Sequence, residues 1–353
     1  MKLEWWKYLS IVILLYTLLF GMLVPLGPGI VEVSPSRATT GAQRSFDVWG
    51  YNTRFKDFDA INVVLKLDDE HCLPAADYSV ESDYHLKATF DVPSMPEGMT
   101  KSEFATMIIY PAGSGTAILP SAVSLQDGEG GQVSTHWVPE DDFTFERITG
   151  LHFPYRNILM ESIRNTYFHV ALWFAMMFIL GASMVYSIRY LRSGNLDWDL
   201  KASAYAQVGI VIGVMGIATG MIWAANTWGK AWSWDIKQTM AAVALLIYLA
   251  YFVLRTSVED QEKRARTSAA YNIFAFATLI PLLYVVPRLV DSLHPGSGGN
   301  PAMGGEDLDN TMRLVFYPAI IGWTLLGAWV SQLVFRFLKV QHYARSKNLT
   351  EQY

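Results

Sequence analysis

Six long apolar runs dominate the chain, separated by polar segments and interrupted once by a stretch of different character. The runs are Tyr8–Val24, Asn165–Tyr190, Ala202–Ala224, Thr239–Leu254, Tyr271–Val290 and Leu314–Phe337. Runs of about 18 or more apolar residues are long enough to cross a bilayer as helices. The pattern therefore predicts a mainly α, polytopic membrane bundle of six spans. Between the first and second runs the periodicity changes. Ser45–Val48, Ile61–Leu67, His85–Phe90 and Thr106–Tyr110 read as strands bounded by Gly, Pro, Asn and Asp. This inserted part is expected to be β-rich, and its opening, Val33-Ser34-Pro35 to Gly50, resembles immunoglobulin-like sandwiches. Leu125–Asp142 is rich in Gly and acidic residues and reads as a linker back to the membrane. The expected organisation is an anchor over 1–29, a β-rich domain with linker over 30–149, a five-span core over 150–339 and a tail over 340–353.

The first run shares its basic start and apolar core with signal peptides, but Pro25-Leu26-Gly27-Pro28-Gly29 follows it, with no A-x-A-like cleavage site. It reads as a retained anchor. Basic residues collect on one set of flanks: Lys2 and Lys7; Arg189, Arg192 and Lys201; Arg255, Lys263, Arg264 and Arg266; Arg336, Lys339, Arg345 and Lys347. The positive-inside rule places these in the cytoplasm. Both termini are then cytoplasmic, as in a bacterial inner-membrane protein, and the β-rich insert faces the periplasm.

Composition narrows the function. Of 353 residues, 52% are hydrophobic and the net charge is −5, with no basic stripe, so nucleic-acid binding is not expected. One cysteine, Cys72, excludes an internal disulfide, a CxxC redox pair and a cysteine-rich metal site.

The most unusual stretch is Trp228-Gly229-Lys230-Ala231-Trp232-Ser233-Trp234-Asp235-Ile236-Lys237-Gln238-Thr239. It fits an aromatic belt at a helix end, and equally a flat aromatic surface for a planar ligand. Topology bears on the choice. The stretch joins the third and fourth spans on the outer side, where His169 lies near the outer end of the second span and His294 just past the outer end of the fifth. Two imidazoles and an aromatic platform at one depth match what haem needs: two axial nitrogens and apolar walls. Zinc would want further ligands in a tight cluster. His71, His85 and His136 lie in the outer domain and His342 in the tail, and they read as ordinary polar residues; His152 is nearer the membrane but has no aromatic partner loop and is a weak candidate.

These residues resemble the CcmC/CcsA family of haem-handling proteins of cytochrome c maturation, whose signature reads roughly WGxxWxWDxKxT. Trp228, Gly229, Trp232, Trp234, Asp235, Lys237 and Thr239 occupy its positions. Six spans favour the CcmC-like form. The resemblance implies that His169 and His294 are the axial ligands of a b-type, non-covalent, transiently held haem, and that Trp228, Gly229, Trp232, Trp234 and Asp235 form the haem-binding loop. It implies no catalysis. It implies as partners a CcmE-like haem chaperone, a CcmD-like small membrane protein and a CcmAB-like transporter, besides membrane lipid. Lys230, Lys237, Arg288 and Arg313 are the candidate propionate partners. Ala231 and Ile236-Lys237-Gln238 depart from common forms of the motif, and short relatives lack the insert. A membrane cytochrome acting in electron transfer and a solute permease are the competing readings. The permease predicts polar residues inside several spans, and Gln207 and Asn272 are the visible cases in the third to sixth.

Overall fold

The computed structural model describes residues 4–111, 115–128, 133–145, 150–294 and 308–350, with side chains to 344. Lys2, and the side chains of Arg345 and Lys347, lie outside the described residues. The chain divides into two compact units, Val24–Glu161 and Met1–Leu23 with Ser162–Tyr353.

The first unit is built of β1 (Gly29–Ser34), β2 (Arg37–Thr39), β3 (Ala42–Tyr51), β4 (Ile61–Lys66), β5 (Cys72–Pro74), β6 (Asp77–Ser82), β7 (His85–Val92), β8 (Ser102–Pro111) and β9 (Ala117–Gln126). One sheet runs β1-β3-β7-β6 and the other β2-β9-β8-β4-β5. Alternation explains the core. In β3, Phe46 and Val48 are buried, and Leu86, Ala88 and Phe90 repeat the pattern in the paired β7. They share one apolar cluster with Val63, Leu65, Met107 and Ile109 of the second sheet, so the sheets pack face to face.

Three of the four expected strands lie inside observed ones, and the fourth, Ile61–Leu67, overruns β4 by one residue. β6 and β9 escaped the pattern for different reasons: Asp77–Ser82 carries three acidic or hydroxyl residues on its exposed side, and β9 is interrupted by Pro120 near a register shift. The stretch read as a linker is in part bound to the sandwich. Leu125 and Gln126 end β9, Val138 pairs with Cys72, and Phe143 and Phe145 cover Val64, Cys72, Ile108 and Tyr110.

The second unit holds α1 (Trp5–Leu23), α2 (His169–Ser193), α3 (Leu196–Trp228), α4 (Ile236–Ser257), α5 (Gln261–Ile280) and α6 (Asn310–Thr350). Among the described residues six helical segments are long and apolar enough to cross a membrane, and this is a multi-pass membrane protein. Its helix ends follow local chemistry. Asn195, Asp235 and Asp260 cap the starts of α3, α4 and α5 by accepting amide protons from Lys237 (Asp235), Asp197 (Asn195) and Lys263 (Asp260). Gly194 and Gly229 end α2 and α3 in the left-handed region, at φ 68° and 72°. The fifth apolar run is not one regular helix. After Ile280 it continues as a π-type turn over Pro281–Val285 and a 3-10 turn over Val286–Arg288, because Pro281 and Pro287 supply no N–H.

α2 and α3 pack closely because α3 presents a row of glycines. A Cβ would meet Leu180 at Gly209, Leu245 and Met176 at Gly213, Trp173 at Gly216 and His169 at Gly220. Small residues at this spacing let helices approach where no hydrophobic driving force separates them from lipid. At the far end of the bundle Arg255 of α4 makes a two-pronged pair with Asp199 of α3, at 2.6 and 2.9 Å.

Candidate functional site

His169 opens α2 directly after a 3-10 stretch, Met160–Tyr167. Its Nδ1 lies 2.9 Å from the carbonyl oxygen of Gly216 and 3.2 Å from Thr219 Oγ1. A carbonyl only accepts, so Nδ1 carries the proton and Nε2 keeps its lone pair. The ring is wedged against α3: a Cβ at Gly220 would fall 2.6 Å from His169 Cε1. Trp173 stands edge-on to it at 6.2 Å.

His294 is held in the same tautomer by a different device. Its Nδ1 is 2.8 Å from Asp235 Oδ1. Asp235 is buried, and it also accepts the Lys237 amide at 2.9 Å, the Leu293 amide at 2.7 Å and the Ser292 hydroxyl at 2.9 Å. Burial alone would raise its carboxyl. The Leu293 amide, His294, the Lys237 amide and the Ser292 hydroxyl outweigh burial and hold it below the usual range. Burial lowers the His294 imidazole despite the opposing pull of Asp235, which favours a neutral ring.

Aromatic rings surround His294. Trp228 is edge-on at 4.8 Å, Trp223 is tilted at 5.9 Å, and the two indoles meet each other at 5.0 Å. Trp223 donates to Ser162 Oγ at 3.2 Å. Trp223 lies on α3 three residues after Gly220, so one face of α3 seats His169 and reaches His294. The two imidazoles are within electrostatic range of each other.

The loop between α3 and α4 is braced from within. Gln238 Oε1 accepts the Ser233 amide at 3.0 Å, and its Nε2 donates to the Ala231 carbonyl at 3.2 Å. Trp232 and Trp234 meet edge to face at 5.8 Å. Trp234 is 77% exposed and adopts φ 59°, a left-handed conformation unusual for so bulky a residue. That backbone turns its indole out to an open surface.

The sequence-selected residues thus divide. Trp228 and Asp235 gather at His294, Gly229 ends α3, and the half-buried Trp232 forms a separate pair with the exposed Trp234. Asp235 orients an imidazole and two amides. Trp223, Ser292, Gly216 and Gly220 were not singled out from sequence. Trp223 sits inside an apolar run, where a lone tryptophan carries no signal; the glycine row at 209, 213, 216 and 220 was the legible clue. Among the four candidate propionate partners, Arg288 and Lys230 are exposed, whereas Arg313 has a buried Nε with no partner among the described residues. No group of three or more His, Cys, Asp or Glu side chains able to hold a bare metal ion occurs among the described residues.

Residues 158–294 match the family model described as Cytochrome C assembly protein, a match that opens just before α2 and closes on His294. By this match the segment is similar to the cytochrome c assembly proteins, among them relatives named Heme exporter protein C and CcsA. Similar proteins include a Heme exporter protein C from Bradyrhizobium diazoefficiens, 28% identical over 47% of this chain and 62% of the relative. Another Heme exporter protein C, from Paracoccus denitrificans, is 30% identical over 36% of this chain and 52% of the relative. A Cytochrome c biogenesis protein CcsA from Prochlorococcus marinus is 42% identical over 26% of this chain and 29% of the relative. The chain therefore spans less than two thirds of the curated relatives it matches. Both histidines, the tryptophan loop and Trp223 fall inside the matched segment, while α1, the sandwich and α6 fall outside the match.

Proposed function

We propose that this chain binds haem between His169 and His294 and passes it to a haem chaperone during cytochrome c maturation. The observation that carries the reading is the pair of imidazoles whose Nδ1 atoms are engaged, by Gly216 and by Asp235, so that each offers Nε2. Metal-bound histidines are oriented in this way by a carbonyl or carboxylate behind them. Haem brings an iron that accepts two such nitrogens; the chain supplies the rest. Trp223 and Trp228 provide apolar walls, Gly220 leaves room for the His169 ring, and Arg313 offers an unpaired guanidinium nitrogen to a propionate. The bundle contains no cysteine, so haem is held by coordination and packing, as a non-covalent b-type group.

Transfer needs capture that is strong but exchangeable. The exposed Trp234, backed by the half-buried Trp232, gives an acceptor an aromatic surface beside the site, and loosening one imidazole is the release step. No bond of the cargo is made or broken, so the protein acts as a carrier. By its family resemblance the acceptor is a CcmE-like chaperone, with a CcmD-like small subunit and a CcmAB-like transporter as companions. In this reading the termini are cytoplasmic and the histidine end of the bundle lies at the outer face of the inner membrane, which the basic flanks support.

We read the sandwich as immunoglobulin-like. The orders β1-β3-β7-β6 and β2-β9-β8-β4-β5, two antiparallel-dominated sheets packed face to face, support that reading.

The test is transfer itself. Haem-loaded, purified protein is mixed with a soluble CcmE-like chaperone domain, and the two are separated. Haem recovered on the chaperone supports the reading. Haem that stays on the membrane protein and cycles reversibly between redox states points to an electron-transfer cytochrome.

A further inference from the structure

The end of the bundle opposite the histidines carries a second constellation, independent of the haem reading. The indole of Trp198, in the first turn of α3, stacks on Tyr186 of α2 at 5.6 Å and 14°. Two cations lie over that same indole, Lys201 Nζ at 4.3 Å and the Arg189 guanidinium at 4.9 Å. Lys201 also approaches Phe335 of α6 at 5.3 Å, and Lys339 lies 5.9 Å from that ring.

Neither nearby carboxylate pairs with Arg189 or Lys201. Asp197 pairs with Lys339 at 2.6 Å, and both oxygens of Asp199 are taken by Arg255. Neither Arg189 nor Lys201 makes an ion pair or a side-chain hydrogen bond with a described residue. Attraction to an aromatic face contributes about 1 kcal/mol per cation but adds no counter-charge, and two cations over one ring repel. The arrangement calls for an anion. The surroundings say which. The cations sit where the apolar stretches of α2, α3 and α6 end, next to Leu191, Leu333, Phe337 and Val340, which are exposed. An anion that brings its own apolar chains to such a boundary is a phospholipid.

We propose that Arg189 and Lys201, held over Trp198 with Lys339 at the rim, bind the headgroup phosphate of an anionic phospholipid whose acyl chains lie along α6. Trp198 and Tyr186 set the spacing of the two cations, which distinguishes this site from scattered basic residues such as Lys263 and Arg264 in the first turn of α5.

The full-length protein in detergent is titrated with phosphatidylglycerol, with phosphatidylcholine and with inorganic phosphate, and bound lipid is read by native mass spectrometry. Phosphatidylglycerol is expected to bind in preference to phosphatidylcholine, with inorganic phosphate failing to compete at millimolar concentration. The Arg189→Gln/Lys201→Gln variant is expected to weaken phosphatidylglycerol about thirtyfold, at roughly a factor of five per cation. Lys263→Gln/Arg264→Gln is expected to leave it unchanged. Should the double variant fail to fold, Lys201→Arg is expected to retain binding that Lys201→Met loses. Equal binding of the two lipids, displacement by inorganic phosphate, or equal loss from the Lys263→Gln/Arg264→Gln variant would each overturn the proposal.

Discussion

Asp235 Oδ1 accepts the Nδ1 proton of His294 at 2.8 Å while the same carboxylate caps α4 through the Lys237 amide. One side chain thus ties the end of the tryptophan loop to a histidine 59 residues further along the chain. Asp235→Asn keeps an oxygen for capping but removes the charge that favours the proton on Nδ1. Haem affinity is expected to fall about 10–100-fold, the usual effect of removing a group behind a metal-bound imidazole. Asp235→Ala is expected to lose in addition about 1 kcal/mol of helix capping. Haem titration followed by absorbance, beside thermal unfolding of the same variants, separates the two effects.

Gly220 is the seat of His169. Gly220→Ala brings a Cβ to 2.6 Å from His169 Cε1, so the ring must move off its bond to the Gly216 carbonyl. The expected outcome is a folded bundle with unchanged helicity whose low-spin haem signal is diminished. Circular dichroism and the visible spectrum of one preparation check both halves.

Trp223 touches Trp228 and His294 and donates to Ser162. Trp223→Phe keeps an aromatic wall without the donor, whereas Trp223→Ala removes both. Haem retention after size-exclusion chromatography is expected to fall in the order wild type, Trp223→Phe, Trp223→Ala. Equal retention in all three would remove Trp223 from the site.

The sandwich offers a separate probe in Cys72. Burial pushes its thiol up to about 11 from 9.0. The folded state thus favours the neutral thiol. Its contribution to stability is complete below the unfolded value near 9 and is lost as pH rises through about 11. Alkylation by iodoacetamide at pH 8 is expected to be slow in the native protein and fast in denaturant. Rapid labelling of the native protein would contradict the packing of Phe143 and Phe145 over this face.

Much of this was written in the order of residues. Long apolar runs declare helices because a bilayer leaves backbone groups no other partner, and the spacing of Trp228, Trp232, Trp234 and Asp235 marked the loop. What escaped depends on contacts between distant segments. Nothing local to Asp235 says that its carboxylate faces His294 rather than an indole, and nothing local to Trp234 says that its indole turns outward. Trp223 joined the site only once α3 was known to be helical as far as Trp228. In the sandwich, Phe143 and Phe145 follow an acidic stretch whose composition suggested a linker, yet two aromatic rings suffice to fix it on the sheet.

The most direct test of the account is the visible spectrum of the purified protein, wild type beside His169→Ala and His294→Ala. The account predicts a six-coordinate, low-spin haem in the wild type, altered in each variant and restored by added imidazole. A wild type that carries no haem after expression with a haem supply, or variants whose spectra match it, would contradict the assignment of these two histidines.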